Sequence, residues 1–337
     1  MAKRHVLFVT IATAVFSLAV SLGAAAQAVN TQCLTEVLAD ADDSTTVGEL
    51  RTLCRERPSA AEAQPATKAV PVYEQSVLAE RLAAEDIDAD RPFTITAHQP
   101  SYIMWSAVDE PNVAPFLPLE PNAQLDDSEM VFQFSVKVPI WRNMFGSDID
   151  GFFGYTTKSY WQLFNDDFSA PFRETNYQPE LFVRKVTNRD LLGVGFLGWD
   201  LSLNHESNGR AEPLSRSWNR VMGRAALQLT DNLTVFGRAW WRIPEDDEDD
   251  NNPGMHRFYG YGDVRAVWTP NRNTFTAMLR PGTQETSYEV TWSYPISRVF
   301  RVYALYYNGY GESLIDYNYK NERIGIGIAL NDFLTRQ

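Results

Sequence analysis

An all-β fold, a twelve-stranded antiparallel barrel crossing a membrane with an N-terminal periplasmic extension, is the class this sequence predicts, and three observations carry it. Beyond residue 92 the apolar residues recur at every second position in short stretches, the period of a strand with one face in an apolar medium and the other in a polar one. About twelve such stretches can be counted, an even number, as closure of a bacterial membrane barrel requires. The connections between them alternate between long and short, like the external loops and periplasmic turns of outer-membrane barrels.

The N-terminus reads as an export signal over residues 1–28: Lys3, Arg4 and His5, an apolar run over 6–22, then Ala26-Gln27-Ala28 as a small-x-small cleavage site. The mature chain is expected to begin near Val29. Residues 29–91 carry helical spacing instead, with Leu34, Val37 and Leu38 and later Val77, Leu78 and Leu82, separated by an Ala/Pro/Glu-rich stretch over 59–71. They are expected to form a periplasmic extension and linker, either a tether or an interaction module. Cys33 and Cys54, the two cysteines of the chain, either pair in the oxidising periplasm or remain buried thiols.

Residues 92–337 are expected to form the barrel. The stretches fall near 93–105, 129–140, 151–164, 177–188, 192–206, 217–230, 232–243, 255–269, 272–281, 285–294, 297–310 and 320–333. Met130, Phe132, Phe134, Val136, Val138 and Ile140 oppose Gln133, Ser135 and Lys137; Ile324, Ile326, Ile328 and Leu330 oppose Arg323, Gly325 and Gly327. Long connections fall near 106–128, 165–176, 207–216, 244–254 and 311–319, and tight turns at Asp231, Pro270-Asn271 and Pro295-Ile296. With the N-terminus in the periplasm, the long connections lie on the cell-surface side. Aromatic residues, 9 Trp, 15 Tyr and 19 Phe in all, supply interface girdles. Candidates are Tyr160, Trp161, Trp199, Trp240, Trp241, Trp268, Trp292, Tyr303, Tyr306 and Tyr307, with Trp161 alternatively part of a flat dimer surface. No mature segment reaches the run of about 18 apolar residues that a membrane helix needs. The net charge of -13 and the lack of a Lys/Arg cluster argue against a nucleic-acid partner.

The chemistry concentrates at Asn204-His205-Glu206-Ser207-Asn208-Gly209-Arg210. Trp199, Leu201 and Leu203 alternate with Asp200, Ser202 and Asn204, so His205 and Ser207 continue the apolar, lipid-facing stripe. On the following strand Asn219 shares a side with Val221, Gly223 and Ala225. If the two strands form a hairpin, a hydroxyl nucleophile, an imidazole base and an amide that accepts the second imidazole N–H converge. An amide suits this place because an unpaired carboxylate facing lipid would be strongly penalised. A His-x-Ser pair alone is also compatible with ordinary polar decoration of a strand.

Longer motifs sharpen the reading. The stretch from Asn204 to Arg210, Ser215-Arg216-Ser217-Trp218-Asn219-Arg220, Trp161-Gln162-Leu163, Pro171-Phe172-Arg173-Glu174-Thr175-Asn176-Tyr177, the segment 307–317 and Leu330-Asn331-Asp332-Phe333 closely resemble the outer-membrane phospholipase A family of Gram-negative bacteria, over roughly residues 93–333. The resemblance implies calcium-dependent hydrolysis of phospholipid acyl esters by a homodimer in the outer membrane. It also implies Ser207 as nucleophile, His205 as general base, Asn219 as orienting residue and the Gly209 backbone N–H in the oxyanion hole. Calcium is implied to bind oxygens of Arg210 and Ser215, with Ser169 contributed by the neighbouring subunit. Thr157 stands where the family commonly carries Gln near the dimer face.

The remaining candidates read as structural. The acidic run 245–250 is expected to be a solvated loop rather than a cation site. Glu206 points inward by parity, His98 and His256 are plain strand residues, and Gly309-Tyr310-Gly311 marks a strand end. A non-enzymatic porin is the alternative class. Inward-pointing Arg220, Arg224, Arg238, Glu289 and Arg323 predict a polar, plugged interior instead.

Overall fold

The computed structural model describes residues 76–89, 94–165 and 172–334, together with Thr46. The signal segment, Cys33 and Cys54, the linker over 59–71, the boundary expected at 91–92 and Ser169 lie outside the described residues. The chain divides into two units, Met1–Lys68 and Ala69–Gln337. Every element below belongs to the second.

A short β1 (Thr96–Ala97) precedes twelve long strands: β2 (Ser101–Val108), β3 (Ser128–Trp141), β4 (Ile149–Trp161), β5 (Phe172–Leu191), β6 (Val194–Ser207), β7 (Ser217–Thr230), β8 (Leu233–Arg242), β9 (Gly262–Trp268), β10 (Thr274–Pro281), β11 (Thr286–Pro295), β12 (Arg301–Tyr310) and β13 (Lys320–Asn331). Each of β2 to β13 pairs antiparallel with its sequence neighbours, and β13 returns to β2 through Ile326↔Trp105 and Ile328↔Ile103. Closure leaves no unpaired edge, the condition for strands to cross a bilayer. The sequence therefore folds as the expected twelve-stranded antiparallel barrel.

Burial follows the alternation. Phe134, Leu201, Leu203, Val290, Ile326 and Ile328 are exposed on the outer wall, whereas Ser135, Lys137, Ser202, Asn204 and Arg323 are buried in the lumen. Each of the five inward charges has found a counter-ion: Arg220 with Glu206, Arg224 with Glu180 and Asp200, Arg238 with Asp263, Glu289 with Arg265, and Arg323 with Glu129 and Glu312. Arg173 joins the last group through Glu129 at 2.6 Å and Asp316 at 2.8 Å. Such pairing is what permits full burial of guanidinium and carboxylate groups. The interior is therefore polar and laced with ion pairs.

The lumen also holds α1 (Val77–Ala89), beside Asp200, Arg224, Arg238 and Asp263. Ser76 caps it by accepting from the Ala79 N–H at 3.1 Å. Val77, Leu78 and Leu82 pack against Leu197, Val267, Phe236 and Leu334, and Glu85 pairs with Lys137 at 2.9 Å and with Arg184 at 3.4 Å. The helical spacing read from these leucines is correct, and its apolar face has the barrel interior as its partner.

Four expectations need correction. The stretch near 93–105 becomes β1 and β2 with a break between them, β1 pairing instead on β3 through Thr96↔Lys137. The stretch near 255–269 opens with a helical turn, α2 (His256–Tyr259), because Met255 and Tyr259 bury on one side at helical spacing; its strand starts only at Gly262. The break placed at 189–191 lies at Leu192-Gly193, where φ of 58° and 87° gives the primed two-residue turn that suits strand twist. Finally, Tyr160, Trp240, Tyr303 and Tyr307 are buried in the lumen and are not girdle residues, while Trp241 and Trp268 are exposed. Adjacent aromatics on a strand face opposite ways, so a doublet such as Trp240-Trp241 can supply only one girdle residue.

The two histidines also differ from expectation. His98 lies between β1 and β2, stacks on Phe182 and sits 3.2 Å from Glu180 through Nε2. His256 belongs to α2 and stacks on Tyr261.

Candidate active site

β6 ends and β7 begins at the long-loop rim, and their ladder pairs His205 with Asn219 and Ser207 with Ser217. Leu201 and Leu203 are 51% and 57% exposed, which makes their stripe the outer wall. His205 and Ser207 continue it, and Asn219 lies between the buried Trp218 and Arg220, so the three candidates share the outer face. His205 Nδ1 and Asn219 Oδ1 are 2.8 Å apart. Glu206 points inward as parity requires, accepting from Trp218 Nε1 at 3.1 Å and pairing with Arg220 at 3.0 Å.

The amide of Asn219 has a second partner that sequence reasoning missed. Its Nδ2 donates to Glu245 Oε1 at 3.1 Å. A carboxylate can only accept, so Nδ2 faces Glu245 and Oδ1 faces the ring. His205 must then carry its proton on Nδ1, leaving Nε2 free to accept one. Arg242 holds Glu245 at 3.0 Å and Asp250 at 2.7 Å. The acidic run is thus solvated only in its middle, where Asp246, Asp247, Glu248 and Asp249 are exposed, and its two ends are pinned.

The loop between β6 and β7 is organised by Asn208, also missed. Its buried side chain accepts from the N–H groups of Arg210 at 3.3 Å and Arg216 at 3.0 Å, and donates to the Leu214 carbonyl at 2.8 Å. Asn208 following the hydroxyl residue was the available signal, since Asn side chains commonly satisfy loop backbone. Gly209 adopts φ of 64°, and a Cβ there would lie 3.2 Å from the Tyr177 ring, so conformation and space both call for glycine.

The Arg210 side chain is anchored on the carbonyls of Phe172 at 2.7 Å and Arg173 at 2.8 Å. Ser215 Oγ accepts one hydrogen bond, from Asn251 Nδ2 at 3.0 Å, and a hydroxyl oxygen has a second lone pair. The main-chain carbonyl of Arg210 and the Ser215 hydroxyl are neutral hard oxygens, the donor chemistry that suits calcium. Among the described residues no group of three or more His, Cys, Asp or Glu could hold a metal ion.

Comparison with known proteins fits this architecture. A sequence model of the phospholipase A1 family matches residues 78–330. Phospholipase A1 of Salmonella typhimurium is 34% identical over 281 residues, covering 82% of this chain and 94% of its own; that of Escherichia coli K12 is 34% identical over 264 residues, covering 78% and 89%. The solved outer membrane phospholipase A of Escherichia coli superposes with a TM-score of 0.67 at 34% identity, over 72% of this chain and 94% of that one. The outer membrane phospholipase of Salmonella typhi, solved as a dimer with bound calcium, gives 0.69 at 32% identity, over 77% and 98%. The chain belongs to the phospholipase A1 family and is an outer-membrane β-barrel enzyme that hydrolyses phospholipids.

Proposed function

We propose that this protein is a calcium-dependent phospholipase in which Ser207, His205 and Asn219 form a catalytic triad on the lipid-facing wall, active as a dimer. The observation that carries it is the 2.8 Å contact of His205 Nδ1 with Asn219 Oδ1, on the same outward face as Ser207. Phospholipid arriving laterally from the outer leaflet meets this face directly. A site on an open wall encloses neither acyl chain, which suits cleavage at either position and of lysophospholipids.

The steps follow from the proton positions. His205 Nε2 takes the proton of Ser207 Oγ as that oxygen attacks the acyl carbonyl, and Asn219 holds the ring and accepts from Nδ1 throughout. The tetrahedral oxyanion is met by the backbone N–H of Gly209. His205 then returns the proton to the departing alcohol oxygen, leaving the acyl chain on Ser207. In the second half His205 takes a proton from water as it attacks that ester, the bond from the acyl carbon to Ser207 Oγ breaks, Oγ receives the proton back from His205, and the fatty acid leaves. The main-chain carbonyl of Arg210 and Ser215 Oγ would hold calcium, together with Ser169 of a second copy. When bound, calcium supplies positive charge beside the developing oxyanion. Its few neutral ligands from one chain are the reason a second subunit would be needed.

The test is hydrolysis of a defined phospholipid in detergent by the purified protein, with and without a chelator, beside Ser207→Ala. Fatty acid release that stops in both cases is expected. Release that survives either change would remove the mechanism.

A further inference from the structure

We propose that Glu245 is a positioning residue of the catalytic centre, setting the Asn219 amide so that His205 is held by its carbonyl oxygen. The inference rests on the triad reading above. Its geometry is a chain of contacts: Arg242 to Glu245 at 3.0 Å, Glu245 Oε1 to Asn219 Nδ2 at 3.1 Å, and Asn219 Oδ1 to His205 Nδ1 at 2.8 Å.

An asparagine in a triad has two weaknesses that an aspartate lacks. It can turn its amide over, offering Nδ2 to the ring and favouring the wrong tautomer. It is also neutral, and stabilises the imidazolium formed during catalysis less well than a carboxylate does. A carboxylate behind the amide answers both. It accepts only from Nδ2, which fixes the orientation, and it polarises the amide so that Oδ1 becomes a stronger acceptor. Arg242 pairs with that carboxylate as well as with Asp250, so negative charge is supplied one residue back from the lipid face without an unpaired anion there.

Several contacts keep Glu245 in place. The Ile243 N–H donates to the Asn219 carbonyl at 2.8 Å, continuing the β7–β8 ladder two residues before Glu245. Asp250 closes the loop back onto Arg242 at 2.7 Å. Asn251 then accepts from the Ser217 N–H at 2.9 Å and donates to Ser215 Oγ. The loop 243–254 thus touches both the orienting amide and the serine expected to bind calcium.

The decisive experiment is Glu245→Gln, assayed for kcat and KM with saturating calcium in detergent, in two backgrounds. With Asn219 intact, the introduced glutamine can turn its own amide and no longer enforces one orientation. A fall in kcat of about three- to tenfold, the size of one hydrogen bond, with KM unchanged is expected. With Asn219→Asp, Glu245 faces a second carboxylate and the same substitution supplies a donor, so Glu245→Gln should raise kcat. A merely structural role for the loop cannot reverse sign with the identity of residue 219. Equal effects in the two backgrounds, or no effect with Asn219, would overturn the proposal. Heat-modifiable electrophoretic mobility identifies folded barrels, and the isosteric substitution preserves the volume at position 245. Ser207→Ala, run in parallel, separates the two failures: its inactivity keeps the triad even if Glu245 proves idle, and its activity removes the triad itself.

Discussion

Asn208 Nδ2 donates to the carbonyl of Leu214 across 2.8 Å and so ties together the two ends of the loop that follows Ser207. The same side chain accepts from Arg210 and Arg216, which makes it the internal scaffold for Gly209, Arg210 and Ser215. Asn208→Ala leaves three backbone groups without their partner. Activity should fall by about tenfold or more, and the calcium concentration giving half-maximal hydrolysis should rise. A calcium titration of fatty acid release checks this; an unchanged midpoint would separate Asn208 from the metal site.

The neutral amide predicts a graded response within the triad. Asn219→Ala removes one hydrogen bond to the ring, so a loss of about tenfold in kcat is expected, with the ring still able to find its tautomer part of the time. Ser207→Ala and His205→Ala remove the attacking atom and its base, and should reach background. Equal losses for all three would mean that Asn219 does more than orient.

The barrel and the outward placement of His205, Ser207 and Asn219 were legible because both follow from a period of two. Leu201, Leu203, His205 and Ser207 differ in chemistry but share parity, and parity survives any error in strand ends. What was not legible depended on contacts across the rim. Glu245 is 26 residues from Asn219, and nothing in an acidic run says which of its carboxylates turns towards the wall. Helical turns such as α2 are too short to show a period against the strand that follows. Parity alone divides the doublet Trp240-Trp241, of which only Trp241 faces outward. Ser169, Cys33 and Cys54 fall outside the described residues.

Thr157 occupies a row that reaches Ser207: it pairs with Tyr177 on β5, and Tyr177 pairs with Ser207 on β6. Phe134, half exposed, is its partner on the other side. A dimer formed along this wall would bury Thr157 close to the site. Thr157→Gln adds an amide able to donate and accept across the interface, where water and competing partners are scarce. The cross-linked dimer fraction in detergent with calcium and a substrate analogue should increase. A fraction that stays constant would place the interface elsewhere on the barrel.

Glu85 ties α1 to the barrel wall through Lys137 and Arg184, and its ionisation carries a pH dependence. Burial by itself would raise its carboxyl, but the charges of Arg81, Lys137 and Arg184 outweigh burial and hold it at about 2, against 4.5 for an ordinary glutamate. A carboxyl depressed in the folded state stabilises above its unfolded value and loses that contribution as pH falls through the folded one. Docking of α1 should therefore be firm above about pH 4.5 and weaken progressively towards pH 2. Pepsin, active across this range, reports it: cleavage within 76–89 should rise as pH falls, while the barrel strands stay protected by their closed ladder. Glu85→Gln removes the charge at every pH and leaves Lys137 and Arg184 without it, so its cleavage should already be high at pH 4.5 and change little below. If the variant and the parent were cut alike throughout, the apolar contacts of Val77, Leu78 and Leu82 would be holding the helix alone.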